Sequence, residues 1–128
     1  LIIVAILAIL LIGYEIGRHL EKETIFSERI EGVFQLRRDF KIKKNSRVLI
    51  VEDVITTGKS SLECSKLVET NKGIVIGYAC IIDRSNGKSK IKDKIVSQVK
   101  LNIPTFSKDN IPKELSLIEP VKPGSRNL

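Results

Sequence analysis

The chain has 128 residues, of which 42% are apolar and 29% charged, and it carries a net charge of +7; that describes one ordinary globular domain and excludes a collagen, a disordered tail or a disulfide scaffold. Its two cysteines, Cys64 and Cys80, are too few for a framework of staples and form no C-x-x-C pair, so a reducing cytoplasm is the expected compartment. The basic excess points to an anionic partner: a phosphorylated metabolite, a nucleic acid or a membrane surface.

No methionine is present, so this sequence is expected to be a processed or N-terminally truncated part of a longer chain. The apolar run Leu1 to Ile12 has no basic segment ahead of it and no small-residue cleavage site behind it, unlike a secretory signal. Glu15 and Arg18 end it before the roughly 20 apolar residues that a membrane span needs. It reads as a buried strand (Leu1 to Ala5) entering a helix that runs to Leu20, with a signal remnant or a membrane anchor as the lesser alternative. Tyr14, Ile16, Gly17 and Leu20 suit a packed helix face, and Glu15, Arg18 and His19 suit the solvent face. Thr24 to Ser27 forms a short strand, Glu28 to Gly32 a polar turn, and Val33, Phe34 and Leu36 the return strand of a hairpin. Arg37 to Ser46 is a basic connector.

Arg47 to Val51 is the clearest strand, because the uninterrupted apolar run Val48 to Val51 suits a strand covered on both faces. It ends in Glu52-Asp53. A turn of small residues follows, then a helix over Lys59 to Asn71, with Leu62, Leu67 and Val68 on one side and Lys72-Gly73 as its stop. Ile74 to Ile82 is a second buried strand, ending at Asp83-Arg84, and Ser85-Asn86-Gly87 breaks the chain. Ile91 to Leu101 is compatible with a short helix and an edge strand. From Pro104 to Leu128 an irregular surface tail is expected. Strand, helix and buried strand in succession form a βαβ unit, hence an α/β fold with a parallel sheet and right-handed crossover.

Ligands of open α/β sheets sit beyond the carboxyl ends of the strands. Here that place is held by Glu52, Asp53, Val54, Ile55, Thr56, Thr57, Gly58, Lys59 and Ser60. Two carboxylates can accept hydrogen bonds from a sugar diol, and a Thr-Thr-Gly-Lys-Ser turn opening a helix offers N–H groups and hydroxyls to a phosphate. A P-loop is rejected, because Asp53 stands where the first glycine of that pattern belongs. A receiver domain has no use for the Thr-Thr-Gly turn beside its acids. A helix capped at Thr57 or Ser60, with Glu63 at N3 for the latter, leaves the two acids at the strand mouth unexplained.

The segment Val48-Leu49-Ile50-Val51-Glu52-Asp53-Val54-Ile55-Thr56-Thr57-Gly58-Lys59-Ser60 resembles the phosphoribosyl-pyrophosphate (PRPP) binding motif of type I phosphoribosyltransferases. Within that family the chain is most similar to the orotate phosphoribosyltransferases. Gly13-Tyr14-Glu15-Ile16-Gly17-Arg18 resembles the helix after the family's early glycine turn. Phe26-Ser27-Glu28-Arg29 through Leu36-Arg37-Arg38 resembles its mobile-loop hairpin, Asp83-Arg84-Ser85-Asn86-Gly87 its orotate-contacting turn, and Val121-Lys122-Pro123-Gly124-Ser125-Arg126 the C-terminal tail of one bacterial subgroup. The resemblance implies a Rossmann-like parallel sheet flanked by helices, here incomplete at the N-terminus. It implies transfer of the 5-phosphoribosyl group from PRPP to N1 of orotate, giving orotidine 5′-monophosphate and pyrophosphate in pyrimidine biosynthesis.

By the same resemblance Glu52 and Asp53 hold the ribose hydroxyls, Thr56 to Ser60 hold the 5′-phosphate, Thr56 and Arg84 contact orotate, and Arg29, with Arg37 and Arg38 beside it, is the mobile-loop cation. Magnesium is carried mainly by PRPP oxygens and water, with no protein metal site. A cytoplasmic homodimer is implied, with no nucleic-acid or membrane partner. The chain departs from the family where Ala5-Ile6-Leu7-Ala8-Ile9-Leu10 replaces a glycine-rich turn that approaches pyrophosphate, and it lacks the segment that forms a hood over orotate. The chain alone is therefore expected to be inactive. The competing readings are a purine phosphoribosyltransferase, which has no need of Asp83-Arg84, and a non-catalytic regulator on the same fold that binds PRPP or nucleic acid. His19, Cys64 and Cys80 read as packing or solvated residues, and the alternating Lys88, Lys90, Lys92 and Lys94 as a solvated face.

Overall fold

The computed structural model describes residues 1–4, 10–104 and 106–119. In chain order the elements are β1 (Ile2–Val4), α1 (Leu10–Leu20), β2 (Thr24–Ile30), β3 (Val33–Leu36), β4 (Arg47–Ile55), α2 (Lys59–Thr70), β5 (Ile74–Asp83), β6 (Ile95–Lys100), a 3₁₀ turn (Lys108–Asn110) and the single-turn helix α3 (Lys113–Ser116). The strands form one six-stranded sheet in the order β3-β2-β1-β4-β5-β6. All neighbours are parallel except the β2–β3 hairpin.

Strand order runs outward in one direction from β1 and in the other from β4. Right-handed crossovers then put α1 and α2 on opposite faces of the sheet. Two apolar layers reflect this. On the α2 face Val48, Ile50, Cys64, Val68 and Tyr78 pack with Ile3 and Ile25. On the α1 face Ile2, Phe26 and Val51 pack with Leu10, Ile12 and Ile16. Side chains alternate along a strand, so the apolar run of β4 feeds both layers, and Val48, Ile50 and Val51 are each fully buried.

Both helices end in the same way. Glu21 (φ 52°) and Lys72 (φ 61°) take the left-handed conformation. Lys22 N–H then donates to the Gly17 carbonyl at 2.9 Å, and Gly73 N–H to the Val68 carbonyl at 2.9 Å. These are Schellman closures; at the end of α2 it is Lys72, not the glycine after it, that adopts the left-handed backbone.

Several expected boundaries shift. β4 continues to Ile55, so Glu52 and Asp53 lie inside the strand and not past its end. β5 pairs with this extension, Glu52 against Cys80 and Val54 against Ile82, which keeps it extended. Glu28 to Ile30 belong to β2 because they pair with β3, leaving Glu31-Gly32 as the turn. Ile91 to Leu101 yields the parallel edge strand β6 and no helix. On α1, Tyr14 and Leu20 are exposed. The helix instead lays Gly13 and Gly17 against the sheet, where Thr24 Oγ1 donates to the Gly13 carbonyl at 3.1 Å. A Cβ on Gly17 would stand 2.0 Å from Thr24 Oγ1 and 2.9 Å from the Lys22 carbonyl, so only glycine lets the helix approach this closely. Tyr14 lies one residue round from that edge, and Leu20 ends the helix. Beyond Pro104 the described residues are mostly exposed, but the tail expected to be irregular carries the 3₁₀ turn and α3; the tail motif at 121–126 and residues 5–9 of the replaced turn lie outside the described residues, while Leu10 begins α1.

The two layers predict a contrast. Ile50→Ala removes a fully buried side chain from the middle of the sheet and should cost about 2–5 kcal/mol. Ile81→Ala, at a site 38% exposed, should cost less than about 1.5 kcal/mol; urea unfolding of both variants checks the difference.

Candidate functional site

The sheet's order reverses between β1 and β4, and the crevice outside the carboxyl ends of the strands at such a reversal is where open α/β sheets bind ligands. The turn after β4 lies there. It leaves the sheet at Ile55, passes through Thr56 and Thr57, both exposed, and enters α2 at Gly58. Gly58 is the N-cap of α2, with φ 76° and no side-chain cap bond. Neither Thr57 nor Ser60 caps the helix as a capping box would. Thr57 Oγ1 accepts only a long hydrogen bond, 3.4 Å, from Lys59 N–H. The first-turn N–H groups therefore remain available to an anion, with the positive end of the helix dipole behind them.

Glycine at this cap is required twice over. Its φ is left-handed, and a Cβ would stand 2.7 Å from Ser89 Oγ and 2.8 Å from Ile91 Cγ1. The segment after β5 thus rests directly on the cap, and Lys90 N–H donates to the Thr57 carbonyl at 3.1 Å.

Glu52, residues 54–60 and Ser61 enclose a small polar hollow of about 70 Å³, roughly the share of two to three water molecules and suited to a phosphoryl group. Alternation sends the two acids to opposite faces of β4. Glu52 turns toward α2, is only 4% exposed, and accepts a 3.0 Å hydrogen bond from Ser61 Oγ. Asp53 is exposed and accepts a 2.6 Å bond from the N–H of Val54. Glu52 therefore shares the hollow with the turn, whereas Asp53 stands outside its walls. Burial pushes the Glu52 carboxyl up to about 7, with the neighbouring Asp53 charge adding to the rise and the Ser61 hydrogen bond and the Arg29 charge opposing it. A carboxyl with that value can hold or release a proton near neutrality.

A second hollow, of about 460 Å³, adjoins the first and shares Thr56 and Thr57 with it; Arg84 and Lys88 also line it, with Asn102 to Pro104 as the far wall. Arg84 is placed by β5, which runs beside β4, and its N–H donates to the Ile55 carbonyl at 2.8 Å. The Asp83 carboxylate turns back to accept from Ser85 N–H at 2.8 Å; the Ser85 side chain first, and its backbone N–H after it, hold the carboxylate below its usual range. Thr56 and Arg84, paired in the sequence reading, therefore line one hollow.

Arg29 lies elsewhere. It pairs with Glu63 of α2, stacks 4.3 Å above the Phe34 ring and donates to the Gly32 carbonyl at 2.5 Å. Arg37 and Arg38 both pair with Glu28, at 3.3 and 3.8 Å. Among the described residues no three His, Cys, Asp or Glu side chains gather as a cation cage. Ser61, which holds Glu52, and Asn102, in the far wall of the larger hollow, were missed by the sequence reading. Ser61 directly follows the run that ends at Ser60 and reaches Glu52 across nine positions, whereas Asn102 is brought in by the packing of a segment remote in sequence.

Comparisons with known proteins identify the family and the fold. A family model for a phosphoribosyl transferase domain matches residues 6–116, and the chain belongs to that family. It is 51% identical over 117 residues to an orotate phosphoribosyltransferase of Methylorubrum populi, covering 91% of this chain and 60% of that protein. It is 42% identical over 116 residues to one of Parvibaculum lavamentivorans, with the same coverage. The chain thus spans about three fifths of the length of these curated relatives. Its fold is shared with adenine phosphoribosyltransferase from Thermoanaerobacter pseudethanolicus (TM-score 0.66, 22% identity, 78% of this chain and 68% of that one). It is shared also with orotate phosphoribosyltransferase from Aeropyrum pernix (TM-score 0.61, 21% identity, 77% and 57%).

The state of Glu52 predicts a pH dependence. Its folded value of about 7 lies above the ordinary 4.5, so the folded state binds the proton more tightly and stability falls as pH rises between those values. The loss is on the order of 3 kcal/mol. Urea unfolding at pH 5 and pH 8 should show this decline in the wild type, and Glu52→Gln should remove it.

Proposed function

We propose that this chain is the phosphate- and base-binding part of an orotate phosphoribosyltransferase, which transfers the 5-phosphoribosyl group from PRPP to orotate. The observation that carries the reading is the adjacency of the two hollows. One is phosphate-sized, at the start of α2, and the other is larger and basic, and they share Thr56 and Thr57. A ribose bridging them puts its 5′-phosphate on the N–H groups of residues 58–61 and its C1 toward Thr56 and Arg84. The relatives named as orotate phosphoribosyltransferases, at 42–51% identity, support the choice of base.

In this reading the C1–oxygen bond to pyrophosphate breaks as N1 of orotate bonds to C1, through a transition state that carries positive charge on the ribose. Asp53, exposed at the carboxyl end of β4, and Glu52, when ionised, are the carboxylates positioned to stabilise that charge and to accept from the ribose hydroxyls. Arg84 presents a planar fork of donors that suits the orotate carboxylate. Magnesium needs few protein ligands, and one exposed carboxylate beside an anion-binding turn is compatible with an ion carried on PRPP oxygens and water. Bound there, it offsets charge on the leaving pyrophosphate. Arg29 serves as a pyrophosphate contact only if its pairing with Glu63 opens. The same reading includes a cytoplasmic homodimer, in keeping with the family resemblance; no described helix is long and apolar enough to cross a membrane.

Calorimetric titration tests the assignment. PRPP should bind, more tightly with magnesium present, and Arg84→Ala should weaken orotate binding at least tenfold while leaving PRPP affinity within about twofold. Failure to bind PRPP, or preference for adenine over orotate, contradicts it.

A further inference from the structure

The chain leaving β5 doubles back within two residues. Asn86 (φ 49°) and Gly87 (φ 72°) are both left-handed, and Lys88 N–H donates to the Ser85 carbonyl at 2.8 Å. This is the type I′ turn that an Asn-Gly pair favours. It returns Lys88 to the side of Arg84.

The turn is fastened at two places. Asn86 Nδ2 donates to Asn102 Oδ1 at 3.1 Å, and Leu101 N–H donates to the Asp83 carbonyl at 2.9 Å; together they tie the turn to the segment after β6. On the other side Lys90 N–H bonds to Thr57, and Ile91, 8% exposed, is sunk beside Gly58. Lys88 is therefore held at the larger hollow from both directions.

The charge balance of that hollow is one-sided. Arg84 and Lys88 both line it, and no carboxylate does. Among the described residues neither cation has an ion-pair partner. Asp83, the nearest acid in sequence to Arg84, spends a carboxylate oxygen on the Ser85 N–H. Two unneutralised cations at one polar hollow favour a ligand that brings its own negative charge at this point.

We propose that Lys88 is a specificity-determining residue that acts with Arg84 to select a heterocycle bearing a carboxylate over a neutral base. Arg84 supplies a directional fork, and Lys88 supplies a compact charge on a flexible stem. The inference rests on the phosphoribosyl reading of the site and adds to it the reason an anionic base is chosen. Both cations are solvent-accessible, so the preference should weaken with salt.

The test is an equilibrium titration of the 128-residue chain preloaded with ribose 5-phosphate, which fills the phosphate hollow without permitting turnover. Orotate and uracil are the anionic and neutral probes. Wild type should bind orotate more tightly than uracil. Lys88→Ala should weaken orotate roughly tenfold, make its salt dependence shallower and leave uracil unchanged, and Lys88→Arg should restore most of the loss. Unchanged orotate affinity in Lys88→Ala, or equal loss of orotate and uracil, overturns the assignment of Lys88. If ribose 5-phosphate fails to bind wild type, the phosphoribosyl reading falls and takes this inference with it. If it binds normally while orotate ignores Lys88, only this inference falls.

Discussion

Strand β4 feeds apolar side chains into both layers of the protein, and the character of the site follows from where that apolar run gives way to acid. Val48, Ile50 and Val51 are fully buried, so β4 is held against β1 on one side and β5 on the other. The reversal of strand order beside it opens a crevice at its carboxyl end. Because β5 pairs with β4 through Ile55, the strand stays extended past its apolar part and delivers Glu52 into a buried position that an unpaired strand end would not provide. The turn that follows then meets the start of α2 at a glycine that no other residue could replace without displacing Ile91.

Burial of Glu52 has two consequences that pull against each other. Desolvation penalises its charge, while a single hydroxyl, Ser61, steadies the carboxylate. If the adjoining turn takes an anion, as proposed, a fully ionised acid at its edge would repel that ligand. A carboxyl that protonates near neutrality relieves that repulsion. Burying this group with only the Ser61 hydroxyl and the Arg29 charge to offset desolvation lowers the stability of the empty protein, in the way functional sites commonly do.

Much of this was legible in the sequence. The βαβ unit, the hairpin and the turn that opens α2 all rest on local signals: an apolar run, a run bounded by turn residues, and Thr-Thr-Gly-Lys-Ser opening a helix. Thr56 and Arg84 are linked in the sequence by resemblance alone, and the fold brings the two to one hollow because β4 and β5 are parallel neighbours. What was not legible depends on pairing and packing. The extension of β4 to Ile55 is dictated by β5, not by the local run, which becomes polar at Glu52. The separation of Glu52 from Asp53 onto opposite faces follows from that extension; as residues in a turn they could have converged. Tyr14 and Leu20 read as packed because they are apolar, but the sheet-facing edge of α1 is built from Gly13 and Gly17, whose small size a hydrophobic pattern does not register. The engagement of Arg29 by Glu63 brings together residues 34 positions apart, beyond the reach of any sequence window.

Whether the start of α2 holds a phosphoryl group through its own backbone is read from amide chemical shifts of the ¹⁵N-labelled chain recorded during titration with ribose 5-phosphate. Saturable shifts concentrated at Thr57, Gly58, Lys59, Ser60 and Ser61 are expected. Shifts confined to the basic connector around Lys41, Lys43 and Lys44, or no shifts at the start of α2 at saturating ligand, would contradict it.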